Sequence, residues 1–242
     1  MQNYCKTIGA LAAASALVAG NAQAEVEYEL HTGYSTEYLF RGVDLGQDLV
    51  EVGVDAAYEM NGLNVSAGVW GTVFNDSPFA NQDQIYSETD FYGEVSKDLG
   101  FLTAAVGYIY YWNAGHLGVD SQEVYFSVGR DLGFATASLT YYWDVINSGD
   151  GGNDGYTELA LSKSFELNQC LTLNVGTNVG YLIESSEFTA ITSRVSLDWG
   201  FVERAKLSPF VAVSVALGET AGTIWGQTEN ELLAGSMLSV SF

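Results

Sequence analysis

Hydrophobic and polar side chains alternate one by one along much of this chain. In residues 26–41 (VEYELHTGYSTEYLFR), Tyr28 and Leu30 fall on one face, whereas Glu27 and Glu29 fall on the other. A period of two residues is typical of a β-strand whose two faces meet different surroundings. The same pattern predicts twelve strands, near 26–41, 50–60, 63–73, 86–97, 101–112, 122–130, 134–143, 156–165, 171–181, 188–199, 207–217 and 231–242.

The predicted strands are about 9–14 residues long, close to the length that a tilted strand needs to cross a bilayer. Strands of soluble β-sandwiches are usually about 5–6 residues long. The last strand runs to Phe242, where an unpaired apolar strand would be an aggregation-prone edge unless it pairs with the first strand. The pattern therefore favours an all-β fold, a transmembrane antiparallel up-and-down β-barrel of about twelve strands, over a secreted β-sandwich.

Short turns are predicted after the even-numbered strands and longer polar connectors after the odd-numbered ones. Asn61-Gly62, after the second strand, is the strongest short hairpin signal. The longer connectors are predicted at 75–86, 113–121, 144–155 and 218–230. This asymmetry matches the short periplasmic turns and longer outer loops of outer-membrane barrels, and an even strand count puts both chain ends on the side of the turns.

Aromatic side chains concentrate near the ends of the predicted strands. Those expected on outward faces are Tyr108, Tyr110, Trp112, Tyr141, Trp143 and Tyr181 toward the outer rim, and Trp199 and Phe242 at the other rim. Girdles of aromatic residues at both membrane interfaces are typical of such barrels, and outer-membrane lipid is the expected partner of this surface. Phe242 is also predicted to be an assembly signal, because the outer-membrane assembly machinery resembles a reader of C-terminal strands that end on an aromatic residue.

The first 24 residues have the features of a secretory signal peptide. Lys6 supplies a positive charge, residues 8–20 form a short apolar stretch, and Ala22-Gln23-Ala24 suits a cleavage site. A membrane anchor is the alternative, although the stretch is too short to span a bilayer as a helix. We therefore predict a signal peptide at 1–24, a barrel at 25–242 and export to the cell outer membrane of a Gram-negative envelope.

The chain of 242 residues carries 30 acidic and 8 basic side chains, for a formal net charge of −22. Nucleic acid is an unsuitable partner at this charge. The acidic segment 144–156 contains oxygen ligands that suit calcium, yet Gly152 occupies a ligand position of the EF-hand pattern and no Glu follows at the right distance. A solvated loop is favoured over a calcium site there. No cofactor or metal site is predicted, and the oligomeric state is left open.

Strand parity predicts which charged side chains face the interior of the barrel. Tyr38 and Phe40 are expected outside, and Arg41 inside. The residues predicted to line the pore are Glu27, Glu29, Glu37, Arg41, Glu51, Asp55, Glu59, Glu88, Asp90, Glu94, Glu123, Glu158 and Arg194. Because only two of them are basic, dry packing would leave carboxylates unpaired, and water is expected inside.

An acidic wall of this kind predicts a porin-like channel for small hydrophilic solutes that favours cations, and a polar plug is the alternative. Arg41 is expected to pair with Glu37, Asp44 or Glu51. In that position it is either a selectivity element or a clamp between the first two strands, since its planar fork suits two carboxylates.

Two stretches resemble the N-terminal signature of the TorF family of porin-type proteins. They are YSTEYLFRGVDL (34–45) and GVWGTV (68–73), where the matching positions are Tyr38, Phe40, Arg41, Gly42, Gly68 and Trp70. The similarity covers about residues 26–75 and is carried afterwards mainly by barrel patterning. The resemblance implies an outer-membrane barrel with a transport role, and it implies no substrate.

Catalytic residues are not predicted. Of the two histidines, His31 falls in the first strand and His116 in a long connector, and neither belongs to a recognisable catalytic motif. Outer-membrane hydrolases use barrels of this size, so the fold alone does not exclude an enzyme. A non-conducting structural or adhesive barrel is the other alternative to a channel.

Overall fold

The computed structural model describes residues 26–77, 85–113, 120–145, 155–218 and 228–242. It contains twelve strands: β1 (Glu27–Phe40), β2 (Val43–Met60), β3 (Leu63–Asn75), β4 (Tyr86–Asp98), β5 (Thr103–Trp112), β6 (Ser121–Asp131), β7 (Thr136–Asp144), β8 (Tyr156–Asn168), β9 (Leu171–Leu182), β10 (Glu187–Val202), β11 (Ala205–Ala216) and β12 (Glu231–Ser241). Each strand pairs with its neighbours in sequence, and β1 pairs with β12. The predicted all-β antiparallel up-and-down barrel of twelve strands is confirmed.

The closing ladder between β1 and β12 is antiparallel, and its register places Leu30 opposite Val240. It extends to the last residue, because the N–H of Phe242 donates to the carbonyl of Tyr28 at 2.9 Å. The C-terminal strand therefore has a hydrogen-bonding partner on each side, β11 and β1.

The two ends of the barrel differ in their connections. The end at which β1 begins and β12 ends, called here the terminal end, has short connections such as Asn61–Gly62 and the turns at 99–102 and 132–135. The opposite end, called the loop end, has the connectors after the odd-numbered strands. Two of these are short as well, at 41–42 and 183–186, so the prediction of long connectors after the odd strands is wrong for β1 and β9.

The outer surface of the barrel is apolar. Val52 is 62% exposed and Val211 is 50% exposed, although both lie in the middle of long strands. Trp112, Trp143 and Trp199 are also exposed, near strand ends. An apolar outer band with aromatic rims matches a surface that faces lipid. No helix within the described residues is long and apolar enough to cross a membrane.

Regular alternation breaks in the first hairpin. The β1–β2 register shifts between Glu37 and Leu39, and the β2–β3 register shifts between Gln47 and Val50. Such bulges bend a strand and redirect its side chains. As a result Tyr38 is buried inside the barrel, so the prediction that Tyr38 and Phe40 face outward is wrong.

Candidate functional site: the barrel interior

Residues directly opposite each other in neighbouring strands share a face of the sheet. Glu29, Glu88 and Glu123 are buried. Leu30, which directly follows Glu29 and therefore lies on the other face of β1, is exposed. The face that carries the buried glutamates is the inner face. The predicted residues whose ladder partners place them on this inner face are Glu27, Glu29, Glu51, Asp55, Glu59, Glu88, Asp90, Glu94, Glu123, Glu158 and Arg194. That they line a pore stays a prediction.

Neutral aromatic donors from neighbouring strands bind several of these carboxylates. The Tyr92 hydroxyl donates to Asp55 at 2.5 Å, and the Tyr125 hydroxyl donates to Glu94 at 2.8 Å. Farther toward the loop end, the indole N–H of Trp70 donates to Glu51 at 2.6 Å. Such hydrogen bonds stabilise a carboxylate without adding positive charge.

Three further carboxylates of the inner face accept hydrogen bonds from neutral donors. The Tyr38 hydroxyl donates to Glu88 at 3.0 Å, and the Asn178 amide donates to Glu158 at 3.0 Å. Glu29 accepts a hydrogen bond of 3.1 Å from the Ser241 hydroxyl. The sequence predicts that buried carboxylates stay unpaired unless cations or water are present. In the structure, neutral side chains supply some of the missing hydrogen-bond donors.

Glycines make room for the inward aromatic rings. Gly68 lies opposite Tyr92, and Gly107 lies opposite Tyr125. A Cβ added at either glycine would collide with the tyrosine ring, because the ring covers the glycine backbone. The rings therefore lie along the wall, with their hydroxyls beside the carboxylates.

The wall formed by β9 to β12 has a different character. It carries small side chains such as Asn174, Ser196, Ala212 and Ser214. Arg194 projects from this wall, with its Cζ 3.7 Å from the centroid of the Phe210 ring. Charge and aromatic groups thus concentrate on the side formed by β1 to β8.

Lys206 is a further basic residue on the inner face that the sequence prediction left out. It lies opposite Gly200 and Ser239 near the terminal end, and Ser239 is buried inside the barrel. The predicted eleventh strand began at 207, so this residue was taken for part of a turn.

The interior is packed at the loop end and is accessible to solvent closer to the terminal end. Ser162, Ser164 and Arg194 are exposed although they share the inner face. At the loop end, by contrast, Phe74 and Tyr86 are only 2% exposed. Something therefore fills the loop end.

That filling is the tip of the first hairpin, residues 38–46, called here the first-hairpin tip. Its side chains contact strands all around the barrel. The Tyr38 ring packs on Phe74 of β3 with centroids 5.1 Å apart, and the Phe40 ring packs on Tyr111 of β5 at 6.1 Å. Leu39 packs against the cluster of Phe210, Ala212 and Leu233 on β11 and β12. The tip therefore lies across the loop end of the interior.

Apolar side chains from both arms hold the tip in place. Val43 and Leu45 are 3% and 5% exposed, and they form one buried cluster with Tyr38, Phe74 and Tyr86. A Cβ added at Gly42 would lie 2.6 Å from the Cβ of Ala190 on β10. The end of the turn is therefore in close contact with the far wall.

Arg41 is the basic residue of the tip, and it points inward as predicted. Its partner is Glu123 of β6: Nη1 donates to Oε1 and Nη2 donates to Oε2, each at 2.7 Å. The predicted pairing with Glu37, Asp44 or Glu51 is wrong, and so is the clamp between the first two strands. The bulges turn the tip inward, so the guanidinium reaches across the interior.

The turn at this tip has an unusual residue. Arg41 and Gly42 have φ of 53° and 89°, the same signs as Asn61 and Gly62 in the β2–β3 turn, where φ is 54° and 74°. A two-residue turn with both φ positive favours Asn-Gly. A non-glycine residue at such a position costs about 1 kcal/mol of backbone strain, and Arg204 in the exposed β10–β11 turn has a similar φ of 70°.

Other predicted residues occupy the two rims. Glu37 lies close to Glu231 of β12 near the loop end. Glu27 and Glu59 are exposed near the terminal end. Phe242 is 59% exposed on the outer surface.

Some predictions fall outside the described residues. They are the signal peptide at 1–24, His116, and positions 146–154 of the acidic segment where calcium was considered. Within the described residues, no group of three or more His, Cys, Asp or Glu side chains is arranged to hold a metal ion.

His31 lies inside the barrel, with its Nε2 3.2 Å from Asp55. Its Nδ1 is buried without a hydrogen-bond partner among the described residues. A catalytic histidine needs one nitrogen for the orienting carboxylate and the other for the nucleophile or water. His31 has only the first of these two contacts.

The family model described as "Bacterial protein of unknown function (Gcw_chp)" matches residues 19–230. The chain belongs to this family. Membership in the TorF family, inferred from residues 34–45 and 68–73, stays a prediction. A search of curated proteins found no match.

Two solved structures share the fold of this Gcw_chp member. The COG4313 outer membrane channel from Pseudomonas putida F1 has a TM-score of 0.56 and 10% sequence identity, over 90% of this chain and 95% of that one. The NanC porin has a TM-score of 0.54 and 11% identity, over 88% of this chain and 98% of that one. The likeness shows the fold, that of an outer-membrane β-barrel.

The inner aromatic residues of this Gcw_chp barrel could have been found from the sequence. Tyr92, Tyr125 and Tyr156 have the same parity along their strands as Glu94, Glu123 and Glu158. Interior tyrosines beside carboxylates are a visible pattern once the inner face is assigned. The contact between Arg41 and Glu123 had no such signal, because 82 residues separate them and bulges position the tip.

Proposed function

We propose that the protein is an outer-membrane, porin-like channel through which small hydrophilic solutes diffuse passively, with a preference for cations. The observation that carries this proposal is the charge of the inner face, where carboxylates on β1, β2, β4, β6 and β8 greatly outnumber basic groups. Acidic groups that face a confined aqueous space raise the local concentration of cations. The exposure of Ser162, Ser164 and Arg194 supports a solvent-filled lower interior.

Planar-bilayer recording with a KCl gradient tests the proposal. The reversal potential should have the sign of a cation-preferring pore, and the preference should fade in concentrated salt, because charges are screened over about 8 Å at physiological ionic strength. An anion-preferring potential, or no conductance under any voltage, would contradict it.

A variant of the acidic wall gives a sharper result. The double substitution Glu51→Gln with Asp55→Asn removes two inner carboxylates and keeps hydrogen-bond acceptors for Trp70 and Tyr92. Cation preference should fall. The control is Glu203→Gln in the exposed β10–β11 turn, which should leave the reversal potential unchanged.

A non-conducting structural barrel is the second candidate, and the inward first-hairpin tip favours it because the tip packs the loop end. Conductance separates the two candidates. An enzymatic role is tested by esterase and protease assays on detergent-solubilised protein, and turnover abolished by His31→Ala would replace the channel with a hydrolase.

We also propose that Phe242 takes part in recognition by the outer-membrane assembly machinery. Its backbone N–H is used for barrel closure, whereas its side chain is 59% exposed. Phe242→Ala keeps the backbone hydrogen bond and removes the ring, so it should lower the amount of folded barrel in membranes. Phe242→Tyr is the control, and equal yields of the two variants would contradict the role.

A further inference from the structure

Four strands of the barrel wall present groups to the Arg41 guanidinium. Glu123 of β6 accepts two parallel hydrogen bonds of 2.7 Å, and Tyr111 of β5 donates to the same carboxylate at 2.9 Å. The rings of Tyr142 on β7 and Tyr156 on β8 lie 4.7 Å and 4.4 Å from the Arg41 Cζ. All four groups belong to the wall, and only their occupant belongs to the first-hairpin tip.

Two of the wall groups, Tyr142 and Tyr156, also have contacts that do not involve the tip. The Tyr142 ring packs against Tyr125 and against Tyr156, with centroids 5.5 Å and 6.0 Å apart. The Tyr125 hydroxyl is bound to Glu94, and Tyr156 covers the backbone of Gly180. These contacts support the two rings independently of Arg41, and the hydroxyl of Tyr111 donates to Glu123 within the wall.

The chemistry of the site selects a guanidinium over other cations. A carboxylate that accepts two parallel N–H donors matches the planar fork of a guanidinium, and an ammonium offers no such pair. Tyrosine faces add cation–π attraction, which favours a flat, weakly hydrated cation. A small inorganic cation has no N–H donors for the carboxylate, and it is not a flat, weakly hydrated group.

Arg41 has a positive φ in its turn, as does Arg204 in the exposed β10–β11 turn, but only Arg41 turns its guanidinium into the wall site. Its φ of 53° is one that Asn61 adopts in the equivalent β2–β3 turn, where the sequence is the favoured Asn-Gly. The backbone cost at Arg41 is offset by the contacts of its guanidinium in the wall site. The chain therefore supplies the guanidinium that the wall site binds in this structure.

We propose that Tyr111, Glu123, Tyr142 and Tyr156 form a binding site for small guanidinium-bearing cations, which Arg41 occupies in this structure. A free solute of this class takes the place of Arg41 and releases the first-hairpin tip from the wall. This inference rests on the proposed channel, because the solute reaches the site through the barrel interior, and it names the solute class of that channel.

The test uses the full barrel in detergent with the substitution Arg41→Asn. Asparagine suits the positive φ of the turn, so the variant vacates the site without straining the backbone. Isothermal titration calorimetry with methylguanidinium should show saturable binding to R41N, and methylammonium should bind at least about tenfold more weakly. Equal binding of the two cations, or no binding of either, overturns the proposal.

Two further variants assign the binding to the wall site. R41N combined with Glu123→Gln should lose at least about tenfold in methylguanidinium affinity. R41N combined with Glu29→Gln is the matched control, because Glu29 is a buried inner carboxylate near the terminal end that accepts a hydrogen bond from Ser241; the affinity of this variant should match that of R41N. Binding that is insensitive to E123Q overturns the proposal.

A measurement on the natural protein covers the case in which these variants do not fold. Methylguanidinium should raise hydrogen exchange of the backbone amides in residues 38–46, and methylammonium at the same concentration should not. The β9–β10 turn at 183–186 is the internal control. Equal effects of the two cations, or no effect on the tip, count against the site.

The outcome is independent of conductance. Calorimetric binding without any conductance would keep the site and contradict the channel. Conductance without methylguanidinium binding would keep the channel and contradict the site.

Discussion

Two hairpins at the loop end of the barrel have short connections and opposite surroundings. In β1–β2, the side chains near the turn are buried: Val43 is 3% exposed and Leu45 is 5% exposed. In β9–β10, Ile183 and Phe188 beside the turn are 37% and 53% exposed. The first hairpin folds into the barrel, and the second stays in the wall and faces outward.

The difference comes from the arrangement of residues near each turn. β9–β10 keeps an outward aromatic pair, Tyr181 and Phe188, whose ring centroids are 5.0 Å apart. Consecutive large side chains occur beside both turns, at 38–40 and at 181–183. The first hairpin differs in having register shifts near Glu37 in the β1–β2 ladder and near Gln47 in the β2–β3 ladder, whereas the β9–β10 ladder shifts between Phe188 and Ile191. A short turn in a barrel is thus no guarantee of an upright hairpin.

The two hairpins also meet each other. The first-hairpin tip is in close contact with Ala190 of β10 at Gly42, and Ala190 is 3% exposed as a result. The upright hairpin thereby forms part of the surface on which the inward one packs.

The largest difference between the hairpins should appear when the ion pair of the tip is broken. Glu123→Gln leaves the Arg41 guanidinium inside the barrel without its carboxylate, which should lower the free energy of unfolding by about 3 kcal/mol. Urea unfolding in detergent micelles measures this. Glu158→Gln is the matched control and should cost about 1 kcal/mol or less, since Glu158 accepts neutral donors. Equal losses would mean that the tip adds nothing.

Truncation of one apolar side chain beside each turn compares the packing of the two hairpins. Leu45→Ala removes a buried side chain and should cost about 2–3 kcal/mol. Ile183→Ala removes one that is 37% exposed, and should cost less than about 1 kcal/mol. The same unfolding assay applies, and a smaller loss for L45A than for I183A would place the tip outside the packed interior.

Added methyl groups test the contact between the two hairpins directly. Gly42→Ala and Gly62→Ala carry the same backbone penalty of about 1 kcal/mol, because both glycines have positive φ. A Cβ at Gly42 would also collide with Ala190, whereas nothing lies within 4 Å of one at Gly62. G42A should therefore cost about 1 kcal/mol more than G62A. Equal melting temperatures would rule out close contact at Ala190.

Sequence reasoning recovered the strands because lipid outside and polar groups inside impose a strict period of two. It placed β4 at 86–97 and β9 at 171–181, within two residues of the observed ends. It failed where that period is interrupted. Tyr38 was assigned to the outer face because nothing in local sequence marks the bulge that precedes Leu39.

The residues of the barrel interior were also predicted only in part. Glu88, Asp90 and Glu94 follow from parity alone. The pairing of Arg41 with Glu123 depends on how far the tip bends, which is set by packing on β3, β10 and β11 and cannot be read from spacing. Parity also missed Lys206, because the start of β11 was placed one residue after it.

The smallest expected effect concerns the cation that the upright hairpin contributes to the interior. Arg194 of β10 is exposed on the inner face, whereas the guanidinium of Arg41 is bound by Glu123. A solvated cation adds little to stability, so Arg194→Gln should change the free energy of unfolding by no more than about 0.5 kcal/mol. It should still repel cations in the lower interior, so its removal should shift the reversal potential slightly toward stronger cation preference. Arg130→Gln, an exposed residue that alternates with the inner positions of β6, is the control and should shift nothing. An equal shift for both variants would mean that overall charge, and not the position of Arg194 inside the barrel, sets the selectivity.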